Sequence, residues 1–195
     1  MTTHTTTYLQ ETAELALALD AVQIERLTDA IVRVRDQRGR LFLLGVGGSA
    51  ANCSHAVNDF RKLCSIEAYS PTDNAAELTA RINDEGWDGA FAAWLQASNL
   101  NPNDAILVLS VGGGDESRGI SVNLIRAIEF ARSTGSAVLA ILGRPDGFAA
   151  LHADVAVVLP ASAPTRLTPH AEAFQAVIWH CLVSDPRLQT NSTTW

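Results

Sequence analysis

The stretch Leu41-Phe42-Leu43-Leu44-Gly45-Val46-Gly47-Gly48-Ser49-Ala50 is a short apolar run that ends in two adjacent glycines and a serine, and residues 50–63 after it carry a helical pattern. An apolar run of this length, with no polar alternation, is the signature of a strand buried on both faces. The glycines allow the tight turn that starts a helix directly above it. The same order returns at Asp104–Ser110, followed by Gly112, Gly113 and Gly114 and a helix from about Ser121 to Ser133. A third instance runs through Ala137–Leu142, Gly143, Gly147 and a short helix near Phe148–Leu151. Ala153–Leu159 reads as a further strand and Ser65–Tyr69 as an edge strand. Short apolar strands alternating with helices specify an α/β fold: a doubly wound parallel sheet of about five strands, flanked by helices. In such folds ligands bind beyond the carboxyl ends of the strands, where the glycine turns lie.

Upstream of the first strand, Leu9, Ala13, Leu15, Leu17, Leu19, Val22, Leu27, Ile31 and Val34 recur at mostly helical intervals, so residues 1–38 form a helical segment of one or two amphipathic helices. The last helix is expected over about Pro169–Leu182, and residues 186–195 form a polar tail. No repeat, linker or low-complexity block divides the 195 residues, which are read as one domain.

Composition narrows the function classes. Lys and Arg number 14 against 21 Asp and Glu, a formal charge of −7, and no basic run is present. Nucleic acid and anionic membrane surfaces are poor partners for such a chain. No apolar run approaches the length of a membrane span and the N-terminus lacks the pattern of a secretion signal, so a cytoplasmic protein is expected. Cys53, Cys64 and Cys181 have neither disulfide-framework nor zinc-finger spacing and are read as free thiols. Trp87, Trp94 and Trp179 are assigned to core or interface, and Trp195 lies in the tail.

Two glycine turns, Gly47-Gly48-Ser49 and the segment from Ser110 to Ser117, place backbone N–H groups and helix starts at one crevice, an arrangement that suits a monophosphate. Neither is a nucleoside-triphosphate loop or a dinucleotide fingerprint. His55 and Asp59 stand at i and i+4 on one helix. On the last helix Glu172 and His180 are eight residues apart, nearly on one face. Should the two helices meet, the four side chains would offer a base, an acid and a mixed nitrogen and oxygen set for a divalent metal.

These motifs, together with Asn83-Asp84-Glu85-Gly86-Trp87-Asp88, resemble the sugar isomerase (SIS) domain family, and within it the sedoheptulose-7-phosphate isomerases. The resemblance runs from the first helix to His180. It implies a homotetramer with active sites between subunits, and interconversion of sedoheptulose 7-phosphate with glycero-manno-heptose 7-phosphate through an enediol. It also implies that Ser49, Ser110 and Ser121 hold the phosphate with the backbone around Gly48, Gly112 and Gly113, and that Asp84 contacts the sugar. By the same resemblance His55, Asp59, Glu172 and His180 are zinc-binding positions, with Asp59 and His180 as catalytic base and acid.

The chain departs from the family pattern at several of these places. Asp59 stands for the usual glutamate, Glu172 for glutamine and Val46 for asparagine. Pro169 stands for an acidic residue, with Thr168 and His170 as nearby substitutes. The second glycine loop is poor in serine and about six residues longer, and Asp115 and Glu116 are expected to point outward, toward a neighbouring subunit or a cation. The alternatives are isomerisation or epimerisation of another sugar phosphate, and a noncatalytic sugar-phosphate-binding module.

Overall fold

The computed structural model describes residues 3–192, so Trp195 lies outside the described residues. The elements follow in the order α1 (His4–Ala18), α2 (Ala21–Asp36), β1 (Arg40–Leu44), α3 (Gly48–Cys64), β2 (Glu67–Tyr69), α4 (Ala75–Ala97), β3 (Ala105–Ser110), α5 (Val122–Ser133), β4 (Ala137–Leu142), α6 (Phe148–His152), β5 (Val155–Val158) and α7 (Leu167–Val183), with a single 3₁₀ turn, Pro164–Arg166, before α7. All strand pairs are parallel and the order is β2-β1-β3-β4-β5. The expected doubly wound five-stranded parallel sheet is therefore present, with two helices ahead of its first strand.

Alternation along each strand divides the core into two layers. Leu41, Leu43, Leu107, Leu109, Leu139, Ile141 and Val157 face one layer, which α2, α3 and α7 complete through Leu27, Ile31, Phe60, Phe174 and Trp179. Phe42, Leu44, Ile106, Val108, Val138 and Leu142 face the other, covered by Phe91, Trp94, Leu124 and Ile128 of α4 and α5. Within each helix these residues recur at three- and four-residue steps, so one stripe is buried and the remainder meets solvent. At the amino ends of β1 and β3, buried Asp104 takes both nitrogens of a two-pronged Arg40 contact, at 3.2 and 2.7 Å, and the Arg40 backbone N–H.

The longest helix, α4, is the element the sequence pattern does not announce. It is bent at Gly86, where φ is +77°. That conformation favours glycine and separates the charged half around Glu77, Arg81 and Glu85 from the apolar half around Phe91, so neither half shows a full amphipathic period by itself.

The order reverses between β1 and β3, and the turns that follow these two strands flank the switch point.

Candidate active site

The first turn enters α3 through Gly47, whose φ of +63° favours glycine. Glu172 of α7 lies over the next residue so closely that a methyl group on Gly48 would come within 2.5 Å of the carboxylate. Ser49 is buried, and its hydroxyl oxygen accepts a hydrogen bond from Gln175 Nε2 at 3.0 Å. Asn52 closes this network, donating to Gln175 Oε1 and to the Glu172 carbonyl, both at 2.9 Å. The hydroxyl expected to hold phosphate is thus tied to α7 by its acceptor side, and its own hydrogen remains to donate.

At the second turn the Ser110 hydroxyl accepts from the Gly113 N–H at 2.9 Å. The first N–H groups of α6, on Phe148 and Ala149, donate to the Gly114 and Gly113 carbonyls, which fixes the glycine loop against the β4–α6 turn. Ser121 sits at the start of α5 in a left-handed conformation with no capping hydrogen bond from its side chain. Gly112 and Thr168 line a cleft of about 320 Å³ between these loops and the start of α7.

Helices α3 and α7 run side by side in the same direction, since Gly48 meets Glu172, Asn52 meets Gln175, His55 meets Trp179 and Asp59 meets His180. Their far ends bring together a second group. The Asp59 carboxylate is buried, and its Oδ2 lies 3.6 Å from His55 Nε2 and 3.7 Å from His180 Nε2. Its Oδ1 accepts from Asn58 Nδ2 at 2.9 Å. The indole of buried Trp179 packs on both imidazoles, with ring centroids 4.6 Å from His55 and 3.5 Å from His180. His180 Nδ1 donates to the Ala176 carbonyl at 2.8 Å, which leaves the Nε2 lone pair of a neutral ring facing Asp59.

The three ligand atoms lie within 4.8 Å of one another. Zinc bound tetrahedrally at 2.0–2.2 Å holds its donors about 3.4 Å apart, close to the two separations observed, and three protein donors leave a position open for a reacting oxygen. The residues present fit such an ion.

Not every expected side chain joins this group. Glu172 points to Gly48, eight residues and a helical rise of about 12 Å before His180, so the expected quartet is a trio here, with Glu172 at the strand exits. Asp84 is exposed on α4, beside Asn83 and ahead of the Gly86 bend, and α4 packs on the opposite face of the sheet from α3 and α7. Glu116 turns outward as expected, but Asp115 lines the cleft at the glycine loop beside Gly112 and Gly114, and the cations both acids meet belong to this chain. Asp115 accepts from Ser117 Oγ and the Arg118 N–H within its own hairpin, and Glu116 pairs with Arg126 of α5. Asn58 and Gln175 went unnoticed in sequence, and Trp179, assigned there to core or interface, is buried as expected but also packs on both imidazoles. Only Gln175 had a signal there, being a polar residue on the inward stripe of an apolar helix.

A family model described as the SIS domain matches residues 7–143. The phosphoheptose isomerase of Chlorobaculum tepidum is 34% identical over 149 residues, 72% of this chain and 68% of that one. A probable phosphoheptose isomerase of Thermoplasma volcanium is 30% identical over 157 residues, covering 78% and 76% of the two chains. Among solved structures, a phosphoheptose isomerase from Francisella tularensis superposes with a TM-score of 0.79 at 23% identity, over 94% of this chain and 97% of that one. The chain belongs to the SIS domain family, among the phosphoheptose isomerases and their relatives.

Proposed function

We propose that the protein is an aldose–ketose isomerase that interconverts sedoheptulose 7-phosphate and glycero-manno-heptose 7-phosphate by proton transfer through an enediol. The observation that carries this is one of spacing. Asp59 lies ten residues along α3 from Ser49, a helical rise of about 15 Å. Eight bonds separate C1 of a heptose from its phosphorus, each advancing an extended chain about 1.25 Å, so the substrate spans about 10 Å and side chains cover the rest. A phosphate held at the glycine turns therefore presents its C1–C2 end to Asp59 and His180.

Asp59 takes the proton from the carbon of the hydroxyl-bearing end and returns it to the neighbouring carbon. His180 exchanges the proton between the two oxygens. Burial keeps the short carboxylate in one place, Asn58 holds its Oδ1, and Trp179 holds the imidazoles beside Oδ2. Zinc, held by His55, Asp59 and His180, would polarise the substrate oxygens as negative charge develops on them. Ser110, Ser121, Gly112, Gly113 and Thr168 would position the phosphate end, whose binding energy aligns the reacting carbons.

The reading extends to a single domain assembled as a homotetramer in the cytoplasm. Leu9, Leu17 and Val22 of the first two helices are exposed apolar side chains that a second copy would cover. Asp84 would reach the sugar of a neighbouring subunit. No described helix is long and apolar enough to cross a membrane.

Turnover of sedoheptulose 7-phosphate by wild type and His180→Ala, each with and without added zinc, tests the assignment. Turnover by the wild type, lost in His180→Ala, is the expected result. A metal-loaded wild type that binds the sugar phosphate without converting it, or that exchanges no proton at C1 or C2 in deuterated water, would sink it.

A further inference from the structure

The longer glycine loop folds into a hairpin of its own. Asp115 and Ile120 exchange backbone hydrogen bonds at 2.9 Å, and Arg118 sits at the tip. This hairpin forms one wall of the cleft of about 320 Å³ noted above, the β4–α6 turn with Arg144 and Asp146 forms a second, and Leu167 and Thr168 of α7 form the third. The floor is Val111, Gly112 and Gly114. A methyl group on Gly147 would come within 1.8 Å of the Gly112 carbonyl, so the two loops are pressed together and the cleft is a fixed feature of the fold.

We propose that Arg118 and Arg144 form the subsite for the phosphate of the substrate, a phosphate monoester dianion, in a loop with few hydroxyls to offer it. This inference rests on the sugar-phosphate assignment above and adds to it the two cations that engage the anionic end. Each arginine has donors to spare. Arg144 gives Nε and Nη2 to Asp146, at 2.9 and 2.7 Å, and Nη1 is left over. Arg118 has Asp115 Oδ2 only at 4.0 Å, and its side chain is 64% exposed.

The two carboxylates act differently on the two arginines. Asp115 is held below the usual carboxylate range by the Ser117 hydroxyl and Asp146 by Arg144; Asp146 fixes the Arg144 guanidinium at the cleft wall, while Asp115 fixes the Arg118 backbone N–H and leaves its side chain free to move onto a ligand. With two charges of each sign the cleft lining is neutral, so a monoester gains by direct hydrogen bonds from Arg144 Nη1 and Arg118 more than by long-range attraction. Thr168, at the start of α7, lines the same cleft.

The test is calorimetric titration of wild type, Arg118→Ala, Arg144→Ala and Arg144→Lys with inorganic phosphate, followed by steady-state kinetics on sedoheptulose 7-phosphate. Arg126→Ala, which removes an arginine paired outside the cleft with Glu116 and Glu129, serves as the control. Each alanine variant is expected to weaken phosphate binding about tenfold to hundredfold, the size of losing a hydrogen bond to a charged group. Arg144→Lys should recover part of the loss, and KM should rise with kcat little changed, because the contact is made equally in ground and transition states.

Phosphate binding at wild-type strength in both alanine variants, or an equal loss in Arg126→Ala, would overturn the subsite. Failure of the isomerase assignment looks different: no variant and no wild type would turn over the heptose, while the loss of phosphate binding in Arg144→Ala would still support the subsite. Thermal melts of each variant separate lost binding from lost folding.

Discussion

The two ends of the α3–α7 pair are built on opposite principles. At the strand exits, Ser49, Asn52 and Gln175 satisfy one another inside the protein, Gln175 is fully buried, and Glu172 is packed over a glycine. At the far end, a buried carboxylate faces two imidazoles that are more than half exposed, at separations too long for hydrogen bonds. A polar network so nearly closed contributes to the fold, and here the Ser49 hydroxyl hydrogen is left to donate. A buried carboxylate oxygen and two imidazole nitrogens that converge without bonding one another leave a place that a ligand, proton or metal can complete. The same two helices thus hold a structural clasp at one end and a reactive group at the other.

The largest expected effect breaks this contrast at the reactive end. Asp59→Asn keeps shape and burial but removes the base and the charged donor, and kcat should fall about 100- to 10,000-fold. In the wild type, zinc at about one hundred times its dissociation constant should stabilise the fold by about 2.7 kcal/mol. For a chain of this size that is a rise in Tm of about 5–10 °C. Asp59→Asn should lose most of the rise while melting near the wild type without metal. A variant that keeps both turnover and the zinc shift would show that the far end is only a surface ion pair.

At the clasp the expectation reverses, and the effect appears in stability. Gln175→Leu fills the same space but leaves the Asn52 amide with one of its two acceptors, the Glu172 carbonyl, and the Ser49 hydroxyl oxygen without its donor. Chemical denaturation should show a loss of about 1–3 kcal/mol, the cost of buried groups left unpaired. A loss below a few tenths would mean that water enters and replaces the glutamine, and that this end is as open as the other.

How much of this contrast was legible in the sequence depends on the distance over which each part is encoded. The strands were readable because Leu41–Leu44, Ala105–Ser110 and Ala137–Leu142 are unbroken apolar runs, each closed by glycine within a few residues. The His55 and Asp59 pair was readable because four residues make one helical turn. The place of His180 beside them depends on α3 and α7 packing in parallel, which no local pattern states. Glu172 shows the limit most clearly: its face on α7 was correctly inferred, yet its carboxylate turns toward Gly48, a contact 124 positions away in the chain. The bend at Gly86 hid α4 by splitting its periodicity. Arg118 and Arg144, 26 residues apart on different loops, become neighbours of one cleft only through the β3–β4 pairing.

The smallest expected effect sharpens the comparison at the outer edge of the clasp. Glu11 of α1 holds the entry to α7 through Arg166, at 2.6 and 2.5 Å, and through His170 Nε2 at 3.1 Å, while Tyr8 stacks on the His170 ring at 4.5 Å. The Arg166 hydrogen bonds, then that of His170, lower the Glu11 carboxyl from 4.5 to about 2. A carboxyl depressed in the folded state adds stability above its unfolded pKa, and that contribution fades as pH falls from about 4.5 toward 2. Wild type should therefore melt above Glu11→Gln at pH 6, and the gap should narrow by pH 3 and close only toward pH 2, where protonation of the folded state makes the wild-type side chain as neutral as the amide. Melting curves that stay parallel from pH 6 to 3 would mean that α1 is held by Leu15 and the Tyr8–His170 stack without help from the charge.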